Sequence, residues 1–373
     1  MSRRKNRRLR RQQEREEKRK KFIKEYDNFE NIASLKSLYT SAKKASNGVS
    51  WKASVQRYLL SILFKIQKTR RELLAGKDVR KGFIEFDLCE RGKIRHIRSV
   101  HFYERVVQKA LCKYVLYPAM TKDIIFDNCA SQKDKGTLFA TNRLTEHLRK
   151  YYRKYKRNGY ILMIDFKGYF ESIYHEPLKQ TFREKFSNTN IIKLADDFVD
   201  AFGDRGLGLG SETSQINAIH HINKIDHYLK EVERLKYYGR YMDDSYIIHP
   251  DKKYLQNLLK LLDDKLSKYG VVINHKKTNI LDLKHGFTYL KTKFFITDKG
   301  KIIRKACRDS ITRERRKLKR QHKIFAQEKI KLAEIEQSYQ SWRGSMKYRN
   351  ASRTVKNMDN LYKILFKEKE NIK

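Results

Sequence analysis

Two adjacent acids, Asp243 and Asp244, lie in the run Arg240-Tyr241-Met242-Asp243-Asp244-Ser245, between the apolar, strand-forming segments LKYYGRY and SYIIH. At a hairpin tip they would project two carboxylates into one place, and neighbouring negative charges repel unless a cation compensates them. A third acid, Asp165, closes the apolar run Gly159-Tyr160-Ile161-Leu162-Met163-Ile164. A carboxylate at the end of a buried strand is costly unless it is a ligand, a helix cap or half of a pair. Three carboxylates from two strands could hold two Mg2+ ions roughly 3.5–4 Å apart, lowering the pKa of an attacking hydroxyl and stabilising in-line displacement at a triphosphate. Mg2+ suits this because it prefers oxygen ligands and is shared with substrate phosphates. Taken singly, each signal is ordinary: Asp-Asp is at home in turns, and an acid after ILMI serves equally as a helix N-cap. Their combination points to chemistry, in this order and roughly eighty residues apart, with a Gly-rich segment and a helix between them.

The elements that must position these acids can be read around them. A buried strand is expected over 159–164, and two strands, Leu235 to Tyr241 and Ser245 to His249, should flank the tight turn. Helices are expected over about 175–203, 214–230 and 252–269, with the Gly-rich turn Gly206-Leu207-Gly208-Leu209-Gly210 ahead of the second. Short strands are expected near 271–273 and 287–296. Upstream, the pattern from Phe22 to about Lys77 is helical, with apolar residues three and four apart. GFIEFDLCERGKIRHIRSV alternates apolar and polar residues about Glu90-Arg91-Gly92 and reads as a hairpin. A helix from about Phe102 to Tyr117 should stop at Pro118. Beyond about Ser310 the chain reads as helical and very basic, with a break near Gly344.

Charge narrows the class of partner. Lys and Arg number 86 against 43 Asp and Glu, a formal net charge of +43. Such an excess repels itself unless a polyanion neutralises it, and nucleic acid does so through phosphate contacts and counterion release. The charge is spread along the chain and interleaved with 23 Tyr and 19 Phe, whose faces can stack on bases. Residues 1–21 would be polar all round as a helix and cannot bury a face alone. They are either a solvated tail or an RNA-binding arm, with Arg3, Arg4, Lys5, Arg7, Arg8, Arg10 and Arg11 as its phosphate contacts. Cys89, Cys112, Cys129 and Cys307 form no close pair, which argues against a zinc site or a disulfide framework and suits a reducing cytoplasm. No apolar run reaches membrane-spanning length, so no membrane partner is expected.

Taken together, Tyr241-Met242-Asp243-Asp244 and ILMIDFKGYFESI resemble motifs of the reverse transcriptase family. The Tyr-Met-Asp-Asp form is typical of that family, whereas many viral RNA-templated RNA polymerases carry Gly-Asp-Asp. The resemblance runs from about Gly82 to the C-terminal helices. It implies an α+β right-hand polymerase with helical fingers, a ferredoxin-like palm and a helical thumb. The implied division is a basic RNA-binding arm (1–21), helical fingers with a β-hairpin near 82–100 (22–158), a palm including the helices 175–203 (159–285), and a primer grip with helical thumb (286–373). The resemblance makes Asp165, Asp243 and Asp244 catalytic metal ligands for two Mg2+ ions, with Mn2+ able to substitute in vitro, and adds the backbone carbonyl of Phe166. It makes Phe170 an aromatic gate against a ribose 2′-hydroxyl, although a core aromatic fits that position equally well. Tyr241 and Met242 then belong to the primer-side loop of the site.

The hairpin ERGKIRHIRS resembles the fingers motif that grips the triphosphate. Lys93 and Arg95 lie two apart on a strand, so both face the same way. Arg105, and the block Ser131 to Arg143, resemble further family positions, the block usually lying along the template. In GLGLGSETSQINAIHH many relatives carry Gln-Gly and, further on, Ser-Pro; here Leu209 and Gln215 stand at those positions, beside Gly210. That departure resembles the diversity-generating retroelement branch of bacterial and phage enzymes. A Leu in place of an amide near the incoming nucleotide implies relaxed base selection. Asn217-Ala218-Ile219-His220-His221 matches a retron pattern, but in the wrong block, so its histidines read as helix residues. Lys277, beside Lys276, resembles the lysine that protonates leaving pyrophosphate. HGFTYLKTKFF resembles the primer grip, and Arg343 in Ser338–Gly344 would track the duplex, with Trp342 also packing its helix.

The implied partners are an RNA template, expected to be a dedicated noncoding RNA, together with a DNA primer or product, dNTPs and a small accessory protein. Rival readings are an antiphage defence enzyme making a protective DNA, a group II intron protein, and a non-catalytic RNA-binding protein that keeps the fold.

Overall fold

The computed structural model describes residues 3–90 and 92–366. Contacts gather the chain into two units: residues up to Lys133 with Asp165–Arg234 and Leu258–Lys277, and Asp134–Ile164 with Leu235–Asn257 and everything from Thr278 onward.

In the first unit the helical pattern after Phe22 resolves into Glu30–Ala33, Leu35–Ala45, Ala53–Leu60 and Ile62–Leu74. They surround the helix Phe102–Leu111, whose Val106, Val107, Ala110 and Leu111 are fully buried. The basic start of the chain forms one helix, Arg3–Tyr26, which continues across position 21. Its last turns dock: Ile23 is buried, the Lys122 ammonium lies 4.2 Å from the Phe22 ring, and the Asp27 carboxylate accepts hydrogen bonds from Ser187 and Asn188.

The expected hairpin is present as β1 (Phe83–Glu90) and β2 (Lys93–Val100), antiparallel with Glu90 opposite Lys93. Its root is fixed by the stacked rings of Phe83 and Phe202, 5.0 Å apart. Pro118 does not end its helix. A π-helical turn, Cys112–Leu116, precedes it, and the helix Tyr117–Thr121 takes Pro118 in its first turn, where a missing N–H costs nothing.

The second unit is built on a four-stranded antiparallel sheet of β3 (Tyr160–Ile164), β4 (Tyr238–Tyr241), β5 (Asp244–His249) and β6 (Asn279–Asp282), in the order β4-β5-β3-β6. The apolar runs ILMI and SYII supply its two central strands, as their lack of alternation leads one to expect for strands covered on both faces. The helix Thr137–Tyr155 packs against it, with the Tyr246 hydroxyl 2.9 Å from His147 Nδ1. A second sheet, β7 (Phe287–Tyr289), β8 (Thr292–Ile296) and β9 (Ile302–Ala306), follows in the order β7-β8-β9.

The C-terminal helices Arg308–Phe325, Leu332–Met346 and Ser352–Phe366 close a core of Leu318, Ile335, Tyr339, Met358, Tyr362 and Phe366. Gly344 lies inside the second of these helices, so the break comes after Met346. The four cysteines form no disulfide, and no helix among the described residues is long and apolar enough to cross a membrane.

Candidate active site

The paired acids are carried by a two-residue turn. Tyr241 pairs with Asp244, leaving Met242 and Asp243 to reverse the chain. Met242 has φ of 56°, in the left-handed region that a turn of this length usually fills with Gly. The strain, about 1–2 kcal/mol for a residue with a Cβ, is held by a fully buried arginine. Arg240 donates from Nη1 to the Met242 carbonyl at 3.1 Å. One residue earlier, Gly239 faces Tyr246 across the strands, and a Cβ there would lie 2.7 Å from the Tyr246 hydroxyl. Asp243 and Asp244 are half-buried. On the neighbouring strand, Ile164 stands opposite Ser245, and Asp165 follows Ile164 along the chain.

Asp165 opens a compact cluster in the first unit. Its backbone carbonyl accepts from Asn274 N at 2.8 Å, Phe166 bridges to Ile273, and Lys167 N donates to the Val272 carbonyl. This short pairing stands where a strand near 271–273 was expected, and it fixes two side chains on the Asp165 carboxylate. Asn274 Nδ2 donates to Oδ1 at 2.9 Å, and Lys277 Nζ lies 3.2 Å away. The chain then turns at Gly168 (φ 54°) into the short helix Tyr169–Ser172. Phe170 is half-buried, edge-on to Tyr169, and its carbonyl accepts from Leu207 N.

The Gly-rich segment lies across this turn. Gly206 N donates to the Ile173 carbonyl at 2.8 Å, and with φ of 86° a Cβ would meet the Glu171 carbonyl oxygen at 2.9 Å. At the other end of the segment, a Cβ on Gly210 would touch Ile97 of β2 at 3.8 Å. Ile97 shares a face of β2 with Arg95 and Lys93, so the hairpin turns that face toward the Gly-rich segment. Asp165, Phe170, Leu207, Gly210 and the β2 face are thereby brought into one region of this unit.

Other candidates fall elsewhere. Gln215 is exposed on the helix Glu212–His221 and lines a separate cavity with Lys109 and Ser131. Leu209 is half-buried and Arg95 exposed. Arg105 bonds the Ser99 hydroxyl. Arg343 Nε lies 3.2 Å from Asp359, and Trp342 stacks on Tyr339, a packing role. Arg10 pairs with Glu14 one turn on. The side chains of Arg3, Arg4, Lys5, Arg7, Arg8, Arg11 and Lys93 lie outside the described residues.

Two positions in the site region escaped the sequence reading. A buried Arg240 was masked by a chain so rich in surface cations. Asn274 is marked only by its tertiary pairing. Among the described residues, no three His, Cys, Asp or Glu side chains stand grouped as a metal site. The donor chemistry fits a hard cation nonetheless: carboxylates follow the end of β3 and form the adjoining strained turn, and an ammonium already neutralises one of them.

An α+β core in which a buried strand leads into an acid, beside a hairpin carrying two more, is a polymerase arrangement. The family model described as reverse transcriptase (RNA-dependent DNA polymerase) matches residues 79–294, more than half of the chain, and the chain belongs to that family. Solved structures similar to it include telomerase from Candida albicans in complex with a fragment of telomeric RNA, at 14% identity and a TM-score of 0.47 over 61% of this chain and 46% of that one. Apo telomerase from Candida tropicalis, truncated from its C-terminal domain, is similar at 16% identity and a TM-score of 0.47, over 60% of this chain and 55% of that one. The chain spans about half the length of these telomerase chains, and the family assignment rests on the sequence match alone. No curated protein matches the chain.

Proposed function

We propose that the chain copies an RNA template into DNA, adding deoxynucleotides to a primer 3′ end with release of pyrophosphate. Asp165, Asp243 and Asp244 are the acids that would hold two Mg2+ ions, with the Phe166 carbonyl as a further oxygen. Bound there, the ions would activate the 3′-hydroxyl and stabilise charge on the leaving pyrophosphate. The observation that carries this reading is the β3–β5 register, which sets Ile164 opposite Ser245, so that the residue after one strand and the first residue of the other are both acids.

The remaining roles belong to the chain's own side chains. Lys277, held on Asp165 at 3.2 Å, is the proton source for pyrophosphate once Asp165 is otherwise engaged. Arg95 and Lys93 grip the triphosphate from one face of β2. Phe170 crowds a ribose 2′-hydroxyl, Gly210 lets backbone approach the base pair, and Leu209 and Gln215 loosen base selection. Tyr241 and Met242 border the primer end. Residues 22–158 would serve as fingers, 159–285 as palm and 286–373 as primer grip and thumb, with 1–21 an RNA-binding arm and Arg343 on the duplex.

The biological reading we favour is a diversity-generating retroelement working in the cytoplasm on a dedicated noncoding RNA, with a small accessory subunit. The motif that supports it is Leu209 through Gln215. The test begins with the purified chain, a primed RNA template, labelled dNTPs and Mg2+. Incorporation should vanish with EDTA, return with Mg2+ or Mn2+, and be absent in Asp243→Asn. Full incorporation by Asp243→Asn would overturn the assignment. Sequencing the DNA made in the host then separates the settings: template-repeat copies with changes at adenines support the retroelement, and repetitive DNA supports an antiphage role.

A further inference from the structure

A cavity of about 520 Å³ opens in the first unit against the docked end of the N-terminal helix, and none of the catalytic candidates lines it. Its other walls come from the helix His175–Lys185, from His220 to Lys224, and from Lys268 and Tyr269. The acids here are mostly satisfied. Asp123 is held by Lys185 at 2.8 Å and His220 at 3.1 Å, and Glu184 by Lys224 at 2.8 Å. Burial alone would raise the Asp123 pKa, yet those two cationic partners hold it well below the usual carboxylate range. Arg19, Lys20 and Lys268 also line the cavity and have no acidic partner among the described residues.

Three uncompensated cations call for an anion. A second observation asks for something more than phosphate. Asn223, 5% exposed, lines the same cavity, and its Oδ1 is buried with no hydrogen-bond partner. Buried acceptors are rarely left so, and this one requires an N–H or O–H donor from outside the chain. The half-buried ring of Tyr269 adds an aromatic wall. A ligand with phosphate at one end, a planar ring and ring-borne N–H donors satisfies all three, and a cavity of this volume holds one such unit.

We propose that this cavity binds a single nucleotide, its phosphate on Arg19, Lys20 and Lys268 and its base against Tyr269 with an N–H on Asn223 Oδ1. The nucleotide is either free or an unpaired residue of an RNA strand lying along the Arg-rich N-terminal helix. The site is independent of the catalytic reading, since it uses no residue of that machinery.

Equilibrium dialysis of the full chain against labelled nucleoside monophosphates, in EDTA, tests the free form. Anisotropy of a labelled unstructured RNA 12-mer tests the strand. Two variants probe the site differently: Gln180→Trp plugs the cavity without changing charge, and Arg19→Glu/Lys268→Glu reverses exposed cations. Saturable binding of a monophosphate, one per chain, weakened at least tenfold by both variants, supports a free nucleotide. Binding of the 12-mer alone, weakened at least tenfold by the uncharged plug, supports a strand. Primed dNTP incorporation, the readout of the catalytic reading, should be unchanged in either case. Undiminished binding by both variants in both assays, or 12-mer binding lost only on charge reversal, overturns the proposal. Should the plugged variant misfold, a monophosphate affinity unmoved by the exposed charge reversal overturns it equally.

Discussion

Met242 occupies a backbone conformation that side chains with a Cβ rarely adopt, and Arg240 is buried beneath it. The pairing has a physical logic. A glycine would remove the strain but leave the turn free to change shape, whereas a strained residue clamped by a buried donor offers one geometry for Asp243. Arg240→Met should therefore cost about 2–3 kcal/mol, because it removes a charged donor from a buried carbonyl and other contacts of that side chain with it. Met242→Gly should leave stability unchanged or raised by up to about 1 kcal/mol, through relief of the left-handed strain offset by chain entropy. Both should lower nucleotide incorporation. Denaturant unfolding and primer extension, measured on the same preparations, check the pair of outcomes. An Arg240→Met chain of wild-type stability would show that the turn is held by something else. At this scale Asp165, Asp243 and Asp244 could be read from the sequence because acids interrupt apolar runs there. Arg240 could not, since nothing local distinguishes a buried arginine from the many exposed ones.

Elements were legible in proportion to how far their pattern is local. β3 and β5 announce themselves by apolar runs, and β1 and β2 by alternation about Glu90-Arg91-Gly92. β6 reads NILD and β9 reads IIRKA; each is short, and each exists because a neighbouring strand offers an edge. The hairpin turn at Leu290 and Lys291, with φ of 45° and 57°, was hidden likewise because neither residue is a usual left-handed one. The Gly-rich segment was visible, but its purpose was not. Gly206 is required where the segment crosses the Tyr169–Ser172 turn, since a side chain would strike the Glu171 carbonyl and take a strained φ as well. Gly206→Ala should cost at least about 2 kcal/mol, from overpacking and backbone strain together. Gly76→Ala meets no atom within 4 Å and bears only the φ penalty, about 1 kcal/mol. Urea midpoints of the two variants check the difference. Equal midpoints would mean that the segment yields, and that it does not fix the ground beside Phe170.

For the whole molecule, charge dominates. A net +43 on 373 residues makes compaction costly in self-repulsion, and binding to a polyanion correspondingly favourable. That excess was plain in the sequence; which part of it meets RNA was not, because cations lie almost everywhere along the chain. The helix Arg3–Tyr26 offers the sharpest case. Its C-terminal turns are anchored at Ile23 and Asp27, so the Arg-rich turns before them project from a fixed base, not from a loose tail. If Arg3, Arg4, Lys5, Arg7, Arg8, Arg10 and Arg11 each neutralise one phosphate, single-stranded RNA affinity should carry their signature in salt. Each contact adds about 0.7 to the slope of log K against log salt. Removing residues 3–11 should reduce that slope by up to about five, with the affinity loss greatest at low salt, while the urea midpoint of the rest of the chain stays in place. Filter binding of a labelled unstructured RNA between 50 and 400 mM KCl measures it. An unchanged slope would assign the polyanion surface to the basic helices after Ser310 and leave the N-terminal helix as a solvated extension.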